Sequence, residues 1–258
     1  MCKSTHPVRW TILSTLLPLW AQQSIRDSVI QFFMPSVVYG GYAPGGDLKQ
    51  RFGWSSVLGG ELAFKTRQNL YLALQGGGLV GDKVREPGLL QGLLLPSLAS
   101  AGILAFVDEN GKFFTPNFRQ RGWTANLRLG WILSRWRIPG QNPNCGPFIE
   151  VGGGYLSHRI LIDKARSERL PLLEGEYLKG FDRLTAGWGL TEAIGYRFFS
   201  NRGLINFFIA VEGGQYFTRS LRRYVYDRAE RDERKRKDFW AGLRVGWSLP
   251  LYEKASVE

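Results

Sequence analysis

Apart from His6, the only histidine in this 258-residue chain is His158, and base catalysis from it would need a nucleophile within hydrogen-bond reach. Ser157 adjoins it, but neighbours on a strand point to opposite faces, so the two do not form a nucleophile–base unit by themselves. No HExxH or GxSxG occurs. The runs Gly76-Gly77-Gly78 and Gly152-Gly153-Gly154 do not lie between a strand and a helix. They therefore read as places where strands bend or approach closely, not as phosphate loops. The cysteines are Cys2 and Cys145. Cys2 precedes an apolar leader and would leave with it, and Cys145 alone can form neither an internal disulfide nor a cysteine-rich metal site. No catalytic residue, metal or cofactor is expected, and the chain is read as a non-enzyme. A lipid-active enzyme with His158 as base is kept as a third reading.

Two other constellations carry charge. Along alternating segments, Glu61, Gln75, Asn126, Arg128, Glu150, Glu192, Glu212 and Arg244 take positions expected to face inward. In a narrow barrel such groups pair across the lumen and close it rather than line a wide channel. The stretch Thr218 to Asp238 holds nine basic and five acidic residues, a net of +4. Its Arg228, Arg231, Arg234, Lys235, Arg236 and Lys237, with Tyr177, Lys179 and Phe181 of an earlier loop, are the binding candidates. Arginines there could grip phosphate or carboxylate bidentately, and the aromatics could serve as anchors.

The elements that must position these groups are strands. From Phe239 the chain puts Phe239, Ala241, Leu243, Val245, Trp247, Leu249 and Leu251 on one face, against Trp240, Gly242, Arg244, Gly246 and Ser248 on the other. The same period of two recurs at Trp54–Lys65, Trp123–Leu133 and Ile205–Glu212, and less clearly at Val29–Tyr42, Asn69–Val80, Pro147–His158 and Arg183–Phe199. In the last four the inward face is ambiguous. Eight strands result, joined by tight turns (Thr66–Gln68, Ser200–Gly203) and a moderate one (Ser134–Gly146) in alternation with an intermediate connection (Ala43–Phe52) and long ones (Gly81–Gln120, Leu161–Asp182, Thr218–Asp238). Short periplasmic turns, long extracellular loops and periplasmic termini follow from an even strand number. Leu89–Val107 is charge-free and reaches helix-spanning length, but Gly92, Pro96 and Gly102 interrupt it. It is expected to pack over the barrel mouth, with Asp108–Gly111 turning a small hairpin.

Bulk properties agree. A mean hydropathy of −0.18 is too low for a helical membrane bundle, whereas 32 glycines and 9 tryptophans are unusual for a soluble enzyme. Lys3 and Arg9 precede the apolar run Trp10–Trp20, followed by Ala21-Gln22-Gln23, the layout of a secretory signal over residues 1–21 with the mature domain at 22–258. The formal charge of +12 is spread along an apparently exported chain, so nucleic acid is not the expected partner. Outer-membrane lipid and lipopolysaccharide headgroups are.

The segments NPNCGPFIEVGGGYLSHRILID (Asn142–Asp163), Gly175–Tyr224 and the closing GLRVGWSLPLY resemble a family of small outer-membrane β-barrel proteins of Bacteroidota. That resemblance implies location and barrel shape, and carries over no catalytic residues. The expectation is an all-β, closed, antiparallel up-and-down transmembrane barrel of the bacterial outer membrane, about eight strands, whose extracellular loops bind an envelope protein or other envelope component, as a subunit of a surface or secretion complex would. The alternative is a small gated channel for solutes.

Overall fold

The computed structural model describes residues 28–86, 89–90, 106–107, 110–163, 171–201 and 205–251. The leader 1–21, most of the apolar stretch 89–107, Asp108, Glu109 and Tyr252 lie outside the described residues.

Alternation folds here as it must when one face meets hydrocarbon and the other a packed interior. The strands are β1 (Phe32–Gly45), β2 (Ser55–Lys65), β3 (Leu70–Gly81), the short β4 (Phe106–Val107) and β5 (Phe113–Phe114), β6 (Asn117–Ile132), β7 (Gly146–Asp163), β8 (Thr185–Phe199), β9 (Asn206–Ser220) and β10 (Lys235–Ser248). Eight of them close a barrel in the order β1-β10-β9-β8-β7-β6-β3-β2, and β4 with β5 forms a separate hairpin. All barrel pairings are antiparallel, including the closing one between β1 and β10. The closed barrel itself leaves no edge strand to recruit another chain. Starting at Gly45 and following cross-strand partners through Phe239, Gln215, Leu190, Gly153, Leu127, Leu74 and Leu62 leads back to β1 at Pro35. This stagger of ten residues over eight strands sets the tilt, in the range of roughly 35–45° that accompanies closure.

The two ends differ. One carries the first and last strand ends and the tight connections, such as the Thr66–Asn69 turn, whose Asn69 takes a left-handed φ of 63°. The other carries the four long connections. The first of these holds a one-and-a-half-turn helix, α1 (Gly46–Arg51), entered through Gly46 at φ 55°. A side chain at Gly46 would also strike the Lys237 carbonyl.

Four strands run further toward the long-connection end than the alternation suggested. β6 begins at Asn117, β7 ends at Asp163, β9 ends at Ser220, and β10 begins at Lys235. These extensions are rich in polar and charged residues, a stretch that hydrophobic periodicity does not report.

The outer wall between the ends is apolar: Val37, Leu58, Leu62, Leu74, Leu127, Val151, Leu190, Ile194, Val211 and Leu243 are all exposed. Aromatic rings bound it, with Tyr155 packed between Trp123 and Trp188 on one side and the pairs Phe33–Phe64 and Phe198–Phe207 on the other. An exposed apolar band between aromatic girdles, with every strand paired, is the form that a bilayer demands of a β structure.

Candidate functional site

The interior is filled in layers. Nearest the termini, Phe32, Met34, Tyr71, Phe148, Phe199 and Phe208 form an apolar plug. Above it lies an ion layer. Arg244 Nη1 donates to Glu61 Oε2 at 3.0 Å, its Nη2 donates to Glu150, and its Nε stands 2.7 Å from Glu212 Oε2 without hydrogen-bond alignment. Arg128 Nη2 donates to Glu212 Oε1 at 2.8 Å. Arg197 reaches Glu61 at 3.4 Å while its guanidinium lies over Phe208, 4.5 Å from the ring centre, and over Tyr71 at 4.9 Å. Tyr71 donates to Glu150 Oε1 at 2.6 Å. Three buried arginines thus face three buried carboxylates, and charge balance is what makes such burial tolerable.

Asn126 accepts from the Tyr216 hydroxyl and donates to Thr124, while Gln75 is buried beside them with its Oε1 unpartnered. Next come Tyr42 and Trp240, stacked with centroids 4.7 Å apart, and Tyr216 edge-on to Trp240. Beyond these, His158 and Thr218 both bind Asp238 Oδ2, at 3.1 and 2.6 Å. Phe52 abuts the imidazole edge-on.

Seven of the eight polar positions named from sequence therefore meet in the lumen. Glu192 does not: it is exposed on the outer wall. In β8 the apolar Trp188, Leu190 and Ile194 share its parity and face out, whereas Thr191, Ala193 and Arg197 face in. Those outward apolar residues were the signal for the register, and the same parity would have placed Arg197, which sequence reasoning missed, in the ion layer. Glu192 sits four residues from Trp188, about 13 Å along the strand at roughly 3.3 Å per residue, well inside the apolar band. Its side chain lies over Gly213.

The four long connections close the barrel mouth as a lid. Leu48, Phe52, Leu89, Leu90, Phe106, Phe114, Leu173 and Phe181 join Ile160 and Ile162 in a second apolar core. Above it, Glu86 gathers three arginines from three other connections: Arg51 at 2.8 Å, Arg183 at 3.3 Å and Arg228 at 2.8 Å. Arg183 also grips Asp227, and Arg222 pairs with Asp182. Burial opposes ionisation of Glu86, but the pull of Arg51, Arg183 and Arg228 outweighs it and holds the carboxyl below the usual carboxylate range. Hydrogen bonding to Asp182 raises Arg222 above its ordinary value.

The loop candidates separate accordingly. Tyr177 and Lys179 are exposed, Lys179 pairing only with Glu176. Phe181 is not a free anchor: it is buried in the lid core against Tyr226, because an apolar ring beside the barrel mouth gains more from packing than from water. Arg228 is tied to Glu86. Arg231 and Arg234 are exposed, the latter 3.5 Å from Asp232. Lys235, Arg236 and Lys237 belong to β10 rather than to a loop, and Arg236 is buried on Asp232. Arg219, Arg222, Arg223, Arg231 and Lys235 line a cleft of about 680 Å³ that also holds Asp232 and Glu233.

No protein-family model matches the chain, and no curated protein matches it. Solved structures similar to it include small outer-membrane barrels. Neisserial surface protein A is 9% identical, with 85% of this chain and 97% of that one covered and a TM-score of 0.41. Ail of Yersinia pestis, solved with the heparin analogue sucrose octasulfate, is 7% identical over 85% and 99%, TM-score 0.40. The outer membrane protein OprG of Pseudomonas aeruginosa is 12% identical over 90% and 100%, TM-score 0.34. Nothing among them supports the narrower resemblance to a Bacteroidota family. At such identities the likeness concerns fold alone, and what stands is the architecture: a closed, all-β, eight-stranded antiparallel up-and-down barrel.

Proposed function

We propose that this chain is a non-enzymatic outer-membrane barrel that serves as a rigid platform, its termini in the periplasm and its lid outside, binding an anionic partner or envelope component through the lid. The observation that carries the reading is the cleft of Arg219, Arg222, Arg223, Arg231 and Lys235, opposed by only Asp232 and Glu233. It stands on connections already locked to one another through Glu86, Asp227 and Asp182. Binding residues concentrate on loops that a scaffold holds still. A solute path fits less well, because apolar, ionic and aromatic layers succeed one another down the lumen.

The test is the double substitution Arg223→Glu with Arg231→Glu, which touches no ion pair of the lid. Heat-modifiable migration should persist, and proteins co-purifying with the parent from outer membranes should be lost. Retention of every partner by the double variant would remove the cleft as the binding surface. Steady ion-selective currents from the purified wild type in planar bilayers would favour the channel instead.

A further inference from the structure

Directly opposite residues on antiparallel strands hold their Cβ atoms about 4.5–5.5 Å apart, and like charges so placed repel. The outer wall contains two such pairs. Arg121 on β6 is the partner of Arg159 on β7, and Arg219 on β9 is the partner of Lys235 on β10. All four point away from the lumen. Each pair begins just beyond the aromatic girdle: Arg121 lies two residues past Trp123, and Arg219 two past the exposed Phe217. Among the described residues no carboxylate stands within ion-pair distance of any of the four. The one hydrogen bond from their side chains runs from Arg121 Nη1 to the Gln120 carbonyl at 3.0 Å. The buried arginines of the lumen and the lid are neutralised by carboxylates, whereas these wall cations stand face to face and call for an anion from outside.

We propose that each of these cross-strand pairs holds a phosphate of an outer-leaflet lipid headgroup. The depth selects a lipid over a soluble ligand. The pairs lie on the side wall at the upper edge of the apolar band, where acyl chains would lie along Leu127, Val151 and Val211 and the headgroup meets the guanidinium groups. Two donors converging from neighbouring strands suit a tetrahedral oxyanion, and Arg–phosphate contacts can be bidentate. The inference rests on the membrane reading of the wall, not on the lid's partner. Since Arg219 and Lys235 also line the lid cleft, the Arg121–Arg159 pair tests it separately.

The experiment measures binding of fluorescent bis-phosphorylated lipid A to the purified barrel in phosphatidylcholine nanodiscs. Wild type should bind lipid A at least tenfold more tightly than its dephosphorylated form, with affinity falling as salt rises. Arg121→Ala with Arg159→Ala should weaken that preference to the share held by Arg219 and Lys235 while keeping heat-modifiable migration, and Arg121→Lys with Arg159→Lys should weaken it less. In the cleft variant Arg223→Glu with Arg231→Glu, whose cleft also contains Arg219 and Lys235, the Arg121–Arg159 pair should still give a preference for lipid A over its dephosphorylated form. Equal affinity for the two lipids, or an unchanged preference in the alanine variant, overturns the proposal. Competition by inorganic diphosphate as effective as that by lipid A would overturn the lipid as the source of the phosphate.

Discussion

The barrel lumen and the lid both contain buried ion networks, yet they are built on different principles. In the lumen Arg128, Arg197 and Arg244 meet Glu61, Glu150 and Glu212, each side chain standing on a strand whose register is fixed by neighbours on both sides. In the lid a single carboxylate, Glu86, receives three arginines from three other connections, and one of them, Arg228, keeps 28% of its side chain in contact with solvent. The lumen network is balanced and sealed. The lid network has more cation than anion and opens onto a basic cleft. Identical side-chain chemistry thus closes the protein at one level and leaves it able to attract anions at the other.

The largest separation between the two should come from Arg244→Ala. It leaves three carboxylates to share Arg128 and Arg197 in a sealed interior, and breaking a buried network costs about 3–5 kcal/mol. Urea titration of refolded barrel, followed by heat-modifiable migration, should show the whole transition move. A loss confined to the lid would contradict the lumen assignment.

Glu86→Ala should act locally. It removes charged hydrogen bonds, each worth about 1.5–3 kcal/mol, from the connections only. Limited proteolysis should cut the β3–β6 and β9–β10 connections in the variant while the strands remain protected. Global unfolding at the same urea concentration as Arg244→Ala would make lid and lumen one cooperative unit.

A milder effect is expected from acid. Glu86 and Asp232 have folded-state pKa values held below their ordinary ones; in each, burial opposes the shift and arginine partners prevail. Their contribution is complete above the ordinary carboxylate range near about 4. It is lost as pH falls through the depressed folded values. Hydrogen-exchange protection in the lid, relative to the intrinsic amide rate at each pH, should therefore be unchanged from pH 7 down to that range and fall only below it. A fall in protection at pH 6 would require a different titrating group.

The smallest effect sharpens the boundary of the lumen. Glu192→Leu replaces a charge on the apolar wall, so it should stabilise the barrel, by less than about 2 kcal/mol. Destabilisation would indicate that Glu192 has a partner.

Much of this was legible from residues alone. Period-two alternation from Phe239 to Leu251 and from Trp123 to Leu133, with turn residues between strands, is local information, and it specifies eight strands, their order and most of the inward polar set. The β8 face was harder, because before Arg197 its inward side is only glycine, alanine and threonine, so that Glu192 looked the more natural lumen residue. Cross-strand register and lid packing lay beyond reach. Arg228 and Glu86 are 142 residues apart, and Arg183 and Glu86 are 97 apart. Nothing in either neighbourhood announces the other. A repeating pattern records which way a side chain faces, since that depends only on the residue's own strand and the solvent on each side. Which arginine meets which glutamate depends on a stagger of ten residues accumulated around a closed sheet, and on where four loops come to rest above it, and those are properties of the assembled barrel.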